Sequence, residues 1–400
     1  MQVKRPRVIE ISDLKQAQEE LTLIGASPGG RAVMAPKAVH RVIKVEGLTM
    51  RAANLLKQEM LSKGGEAALA HGAADWSVEH TDTLLMGTLK QYRLLVAKLK
   101  LQPFGLAKLG ERLTALLFAQ PPQELRLGSH RLTLSRTLVM GILNITPDSF
   151  SDGGRYTSVE RALEQAEKMR REGADMIDVG GESTRPRHEP VPAHEELERV
   201  MPVLERLLSR LDIPISVDTN KAEVAREALS LGVHLVNDVG GLQTEDMLLP
   251  VIESGAGLVI MHGLKEHRQP MPPEYSNLMG TVHQFLARRL EKAKEAGLAP
   301  ESIILDPGLG FGKTGRRNLM ILSRLGELAS LGQPLLVGAS RKGFIGEVLE
   351  LPVDERDEGT AATVALAIAR GARLVRVHDV KTMVRVARMT DAILAERGHA

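Results

Sequence analysis

The sequence predicts an α/β protein: a (β/α)8 TIM barrel preceded by a small α/β N-terminal domain. Three observations carry this. From about Leu138 onward, eight short apolar runs alternate with longer amphipathic stretches. The runs are mostly unalternating, as strands buried on both faces should be. A polar residue closes each run, and in a TIM barrel those strand ends form the catalytic mouth. The alternating part covers roughly 260 residues, which matches the usual length of such a barrel.

The first 130 of the 400 residues read differently. Helical patterns lie at Leu14–Leu23, Arg51–Ser62, Thr88–Leu99 and Leu106–Phe118, with candidate strands such as Arg41–Val45 and Leu84–Leu85 between them. This is a small α/β domain over 1–130, to which the residues assign no chemistry. Pro121-Pro122 marks a linker, and Glu124–Leu134 reads as a hairpin leading into the barrel domain of 131–400. The barrel strands are Leu138–Leu143, Met176–Val179, Ile215–Val217, Leu235–Val236, Gly257–Met261, Ile303–Leu305, Leu335–Val337 and Leu374–Val377. Helical stretches between them include Val159–Glu172, Glu195–Leu211, Lys221–Leu231, Met279–Ala296, Asn318–Leu328, Thr360–Arg370 and Val380–Glu396. Asn144, Asp178, Asp218, Asn237, His262, Asp306, Ser340 and His378 sit at or just after the strand ends. One such Asp is an ordinary helix cap; eight polar strand ends are harder to explain that way.

Composition narrows the function. Hydrophobic residues make up 43% and charged residues 26%, an ordinary globular balance. A net charge of +2 and an aromatic content of 2% argue against a nucleic-acid partner or an anionic membrane. With no cysteine there are no disulfides, thiolate metal sites or cysteine nucleophiles, which fits a cytoplasmic protein. Met1–Arg7 is basic, but no apolar run follows, so no secretory signal is expected, and no stretch is long and apolar enough to predict a membrane helix.

The loops after the strands carry the chemistry. Gly141-Ile142-Leu143-Asn144-Ile145-Thr146-Pro147-Asp148-Ser149-Phe150-Ser151-Asp152-Gly153-Gly154 leaves strand one. Its Asn144 amide could offer oxygen to Mg²⁺, a hard cation, or the segment could be only a capped turn. Gly180-Gly181-Glu182-Ser183-Thr184-Arg185-Pro186 leaves strand two, where the glycines let backbone approach a ligand and Arg185 could fork a carboxylate. Both loops have little to bury, which predicts that they order on their ligands. Asp218, Asn237 and Asp306 end strands three, four and six. Converging in one pocket, they suit a ligand edge rich in N–H donors, such as a 2-amino-4-oxo pterin; otherwise the two carboxylates cap the helices that follow. Gly312-Lys313-Thr314 resembles the end of a P-loop, but Pro307 stands where the first glycine is required. That segment is expected instead to be a flexible loop holding Phe311 against an aromatic ligand. Ser340-Arg341-Lys342 puts two adjacent cations at the mouth, which suggests an anionic or carbonyl-bearing ligand. Arg376-Val377-His378-Asp379 lies beside it, so Arg376, His378 and a Mg²⁺ on Asn144 could together hold a diphosphate.

In this order, these strings resemble the dihydropteroate synthase family over about residues 137–397. The resemblance implies an Mg²⁺-assisted transferase of folate biosynthesis. It would join (7,8-dihydropterin-6-yl)methyl diphosphate to 4-aminobenzoate, giving 7,8-dihydropteroate and diphosphate. It further implies that Asp218, Asn237, Asp306 and Lys342 hydrogen-bond the pterin, with Met261 and Phe311 lining its slot. Arg376 would pack on the pterin and hold diphosphate with Asn144 and His378, while Thr184, Arg185 and Ser340 would bind 4-aminobenzoate. Asp218, Asp306, Lys342, Arg376 and His378 are the expected catalytic set, and a homodimer is what the family suggests. The chain departs from the family pattern after Met261-His262, and its first 130 residues lie outside the family core. Two alternatives remain: a pterin-dependent methyltransferase, which needs no diphosphate grip, and a non-catalytic pterin-binding protein.

Overall fold

A computed structural model describes residues 5–73, 75–145, 155–182, 191–263 and 274–396. The chain divides into two compact units, one up to Gln120 and the other from Pro121 to Leu394. The Glu124–Thr133 hairpin therefore belongs to the second unit.

The first unit is built on an antiparallel sheet of three strands, β1 (His40–Thr49), β2 (Glu66–Leu69) and β3 (His80–Thr88), in the order β1-β3-β2. Alternation decides its buried face. Ile43, Ala67 and Leu85 point to one side and pack with Leu56, Met60, Tyr92, Leu95 and Leu99 from the helices Met50–Ser62 and Leu89–Leu99. Thr88 and Gln91 form a capping box that starts the second of these helices. The helix Pro28–Ala38 is not among the helical patterns predicted above, although Ser27 caps it by accepting from Gly30 N. Its proline stands at a first-turn position, where the missing N–H costs nothing.

The second unit opens with the hairpin β4 (Glu124–Leu127) and β5 (His130–Thr133). Eight parallel strands follow: β6 (Leu138–Asn144), β7 (Met176–Gly180), β8 (Ile215–Asp218), β9 (Leu235–Asp238), β10 (Gly257–Met261), β11 (Ile303–Asp306), β12 (Leu335–Val337) and β13 (Ala372–Val377). They close into a barrel, with β13 pairing β6. The helix after β9, Leu248–Ser254, has only seven residues, too few to show a helical period in the sequence.

Strand alternation sorts the side chains into two shells. Val139, Ile177, Val217, Val236, Leu258, Leu305, Val337 and Val375 face outward, into the layer shared with the helices. Met140, Met176, Leu235, Val259, Ile304, Leu336 and Leu374 face inward and fill the lower barrel. The hairpin plugs the floor beneath them with Leu125 and Leu127, both fully buried. Gly257 is required there, because a Cβ would stand 2.3 Å from Leu127 Cδ2.

No helix among the described residues is long and apolar enough to cross a membrane. Leu127→Ala should lower stability by about 2–5 kcal/mol through the cavity it opens in the floor, read as a lower denaturation midpoint in guanidinium chloride.

Candidate active site

The site is the interior storey directly above the apolar floor. Two residues beyond Met176, Leu235, Val259, Ile304 and Leu374 stand Asp178, Asn237, Met261, Asp306 and Arg376, and the period of two gives them the same inward face. Asp218 enters from β8 beside Asn237, its register partner on β9.

Arg376 ties this storey together. Its Nε donates to Asp178 Oδ2 at 2.6 Å and its Nη2 to Asp218 Oδ2 at 2.7 Å. Asn237 Nδ2 also donates to Asp178 Oδ2, at 2.9 Å. Oδ1 of Asp178, Oδ1 of Asp218 and Oδ1 of Asn237 are buried and have no hydrogen-bond partner among the described residues. Three acceptors left open in a buried wall are what a ligand rich in N–H donors would satisfy. Neither carboxylate caps a helix. The helix after β8 has no side-chain cap, and Asp306 Oδ1 accepts instead from Gly308 N at 2.7 Å, closing a turn.

The opposite side of the mouth is a short apolar wall of Val239, Met261 and Phe311. Lys342 lies over the Phe311 ring, 4.8 Å from its centroid, and donates from Nζ to the Leu309 carbonyl. The loop carrying Phe311 is pinned, contrary to the flexible segment expected from its glycines. Buried Lys313 donates from Nζ to the carbonyls of Gly308 and Phe311, both at 2.8 Å, and of His262, at 3.3 Å. Asn318 Oδ1 accepts from Gly310 N at 2.8 Å, and its amide nitrogen donates to the carbonyls of Lys313 and Thr314. Gly308 has φ +65°, and a Cβ there would stand 1.8 Å from the His262 carbonyl oxygen.

The expectation of two cations side by side also fails. Arg341 turns away to fork Asp357 at 2.8 and 2.7 Å, so that of the two only Lys342 reaches the mouth. Ser340 Oγ lies 2.9 Å from His378 Nδ1, joining β12 to β13. Asn144 is exposed at the end of β6. Asn144 and His378 also edge a cleft of about 640 Å³ between the helices Arg155–Arg171 and Val380–Ala395. That cleft runs outside the strand wall, whereas the carboxylates lie inside it. Thr184, Arg185 and the loop 146–154 lie outside the described residues.

Burial sets the protonation states. Asp218 is pushed up to about 7 by burial, opposed by Arg376 and reinforced by Asp178. Burial also raises Asp306 above the usual carboxylate range, against the pull of Lys342. Lys342 is brought down to about 8 by the same loss of water, with Asp306 resisting.

Comparison with known proteins decides what this constellation belongs to. Residues 140–378 match the family described as pterin binding enzyme. The dihydropteroate synthase of Bacillus subtilis is 48% identical over 264 residues, 66% of this chain and 90% of the relative. The chain belongs to the dihydropteroate synthase family. The Escherichia coli dihydropteroate synthase is 42% identical over 66% of the chain and 95% of its own length. Among solved structures, the Xanthomonas albilineans dihydropteroate synthase with 4-aminobenzoic acid is 42% identical, with a TM-score of 0.65 over 68% of this chain and 98% of that one. The same enzyme in complex with 7,8-dihydropteroate gives 0.62 at 41% identity, over 68% and 99%. A probable bifunctional folylpolyglutamate synthase/dihydropteroate synthase of Halobacterium salinarum is 42% identical over 96% of this chain, which spans 46% of that relative's length.

Dihydropteroate synthases are transferases, and the barrel mouth supplies the acceptors, cations and apolar wall described above. Two residues of this candidate site received no role from sequence reasoning. Asp178 lies inside β7, and only the interior register shows that it anchors both Arg376 and Asn237. Lys313 sits in a string that resembles a P-loop, and its use in clamping backbone carbonyls leaves no mark in the sequence. Behind the second loop, Lys221 pairs with Glu182 and the buried Glu196, joining the segments that leave β7 and β8.

Below about 7 Asp218 carries a proton, and above about 8 Lys342 loses its charge. Pterin affinity should therefore be bell-shaped in pH, rising through the first value and falling through the second. Calorimetry across that range would check this. The rising limb should vanish in Asp218→Asn, and an unchanged limb would remove Asp218 from pterin binding.

Proposed function

We propose that this site joins (7,8-dihydropterin-6-yl)methyl diphosphate to 4-aminobenzoate. The observation that carries the reading is the set of open acceptors on Asp218 and Asn237, with Asp306, beside Lys342 and the Phe311 wall. A 2-amino-4-oxo pterin brings N–H donors to the first group, a carbonyl to Lys342 and a flat apolar face to Met261 and Phe311. When pterin donors occupy Asp218, Arg376 can keep its Nε bond to Asp178 and turn Nη2 toward the leaving group.

In the reaction the C–O bond to diphosphate breaks, and the amine nitrogen of 4-aminobenzoate forms the new C–N bond and then releases its proton. Arg376 and His378 stabilise the departing charge. Asp218 and Asp306 stabilise positive charge spreading into the pterin. Ser340, with Thr184 and Arg185, holds 4-aminobenzoate where its amine faces the methylene. Mg²⁺ fits as a companion of the diphosphate rather than as a resident of an all-protein cage. No cluster of three metal-ligating side chains occurs among the described residues, and Mg²⁺ commonly takes few protein oxygens alongside phosphate and water. Asn144 would supply one such oxygen, and the ion would supply charge neutralisation of the leaving group. The grip of Arg376 and His378 favours this reading over a pterin-dependent methyltransferase, and a complete set of acceptors and cations favours it over a non-catalytic binder.

The barrel unit, residues 131–400 in the sequence division, is the catalytic part of this proposal, and every motif it uses lies after Leu138. A homodimer is what the family resemblance suggests, and a cytoplasmic location is the reading that the cysteine-free sequence supports.

Purified protein should form dihydropteroate from the two substrates in an Mg²⁺-dependent assay, and chelation should suppress turnover. Asp306→Asn should lose pterin binding with its melting temperature retained. Absence of product from folded protein would overturn the proposal.

A further inference from the structure

The Ser340-Arg341-Lys342 turn sends three neighbouring side chains to three places. Ser340 meets His378, Lys342 lies over Phe311, and Arg341 reaches Asp357. This division requires Arg341 to adopt φ +56°, the left-handed region that a side chain with a Cβ disfavours. Such a conformation persists only where its surroundings enforce it.

The enforcing groups all come from the start of the helix Asp357–Ala369. The Arg341 N–H donates to Thr360 Oγ1 at 3.1 Å, and the Arg341 carbonyl accepts from Arg356 Nη1 at 3.1 Å. The Arg341 guanidinium forks Asp357. Thr360 is fully buried, and its hydroxyl donates onward to the Arg356 carbonyl at 2.9 Å. Arg356 can reach this point because Gly346 leaves room: a Cβ there would stand 2.3 Å from Arg356 Nη2. Residue 341 is thus held at its N–H, its carbonyl and its side chain by one helical turn.

We propose that Arg356, Asp357 and Thr360 are positioning residues that hold Arg341 left-handed, so that Ser340 and Lys342 serve different substrates from a single turn. None of the three touches the reacting atoms. The proposal rests on the substrate reading above. The competing account is that Asp357 only complements the dipole of its own helix. In that case the conformation of residue 341 would not matter.

The test uses Asp357→Ala and Arg356→Ala in the full chain, each alone and each combined with Arg341→Gly, because glycine adopts positive φ without a steric penalty. Each single variant should lose about tenfold in kcat/KM, the scale set by the left-handed preference, with KM raised for both substrates. The Arg341→Gly combination should recover most of that loss. The ¹⁵N signals of the His378 imidazole should shift in the single variants and return in the combinations. A loss that persists with glycine at 341, or no loss at all, overturns the proposal. If Arg356→Ala does not fold, the Asp357 pair decides alone. If the unmodified enzyme makes no dihydropteroate, the substrate reading fails, and the His378 signals still decide whether the clamp exists.

Discussion

Arg376 between Asp178 and Asp218 is the interaction on which the barrel mouth depends. A guanidinium and two carboxylates stand in a barrel interior where water is scarce, and each alone would carry a large desolvation penalty. Together they compensate: one cation lies within 2.7 Å of both acids, and Asn237 adds a donor to the more buried one. Compensation is incomplete, since two acids face one guanidinium. Burial, with the charge of Asp178 adding to it against Arg376, pushes Asp218 upward, and three buried acceptors remain open among the described residues. Removing one member of such a cluster typically costs 3–5 kcal/mol, roughly, because the charge left behind stays buried.

The loops around this storey are shaped largely by side chains that bond backbone. Lys313 gathers three carbonyls, Asn318 bonds the same loop from the next helix, and Asp238 accepts from Gly240 and Leu242 after β9. Arg341 is held by the turn at the start of a helix far along the chain. The charged and amide residues of these loops therefore divide into those left open to a ligand and those spent on the protein's own backbone. Residue type does not separate the groups: buried Lys313 donates to three backbone carbonyls, whereas half-buried Lys342 donates to one and lies over the Phe311 ring.

The two units stand differently toward known relatives. The barrel is shared with synthases such as that of Bacillus subtilis, which match about two thirds of the chain. The first unit is included in the match to the Halobacterium salinarum bifunctional relative, which covers 96% of the chain. Its three-stranded sheet and flanking helices form a core of their own around Leu56, Tyr92 and Leu95.

The sequence by itself determined the barrel, because hydrophobic runs buried on both faces and amphipathic helices leave periodic marks that need no partner to be read. It also determined which strand ends carry polar groups, so Asp218, Asn237, Asp306 and His378 were legible as strand-end residues from their order along the chain. Long helices such as Leu14–Leu23 and Leu106–Phe118 were legible to the residue, while the short helix Leu248–Ser254 and the proline-started Pro28–Ala38 were not. Only the tertiary structure decided how those residues are used. That Arg376 pairs with Asp178 across 198 positions of sequence depends on closure of the barrel, and that Arg341 turns to Asp357 and Lys313 pins the Phe311 loop depends on how the segments after the strands fold back on themselves. Closure brings β13 beside β6, and a hydrogen bond between distant residues leaves no periodic trace in the chain that makes it.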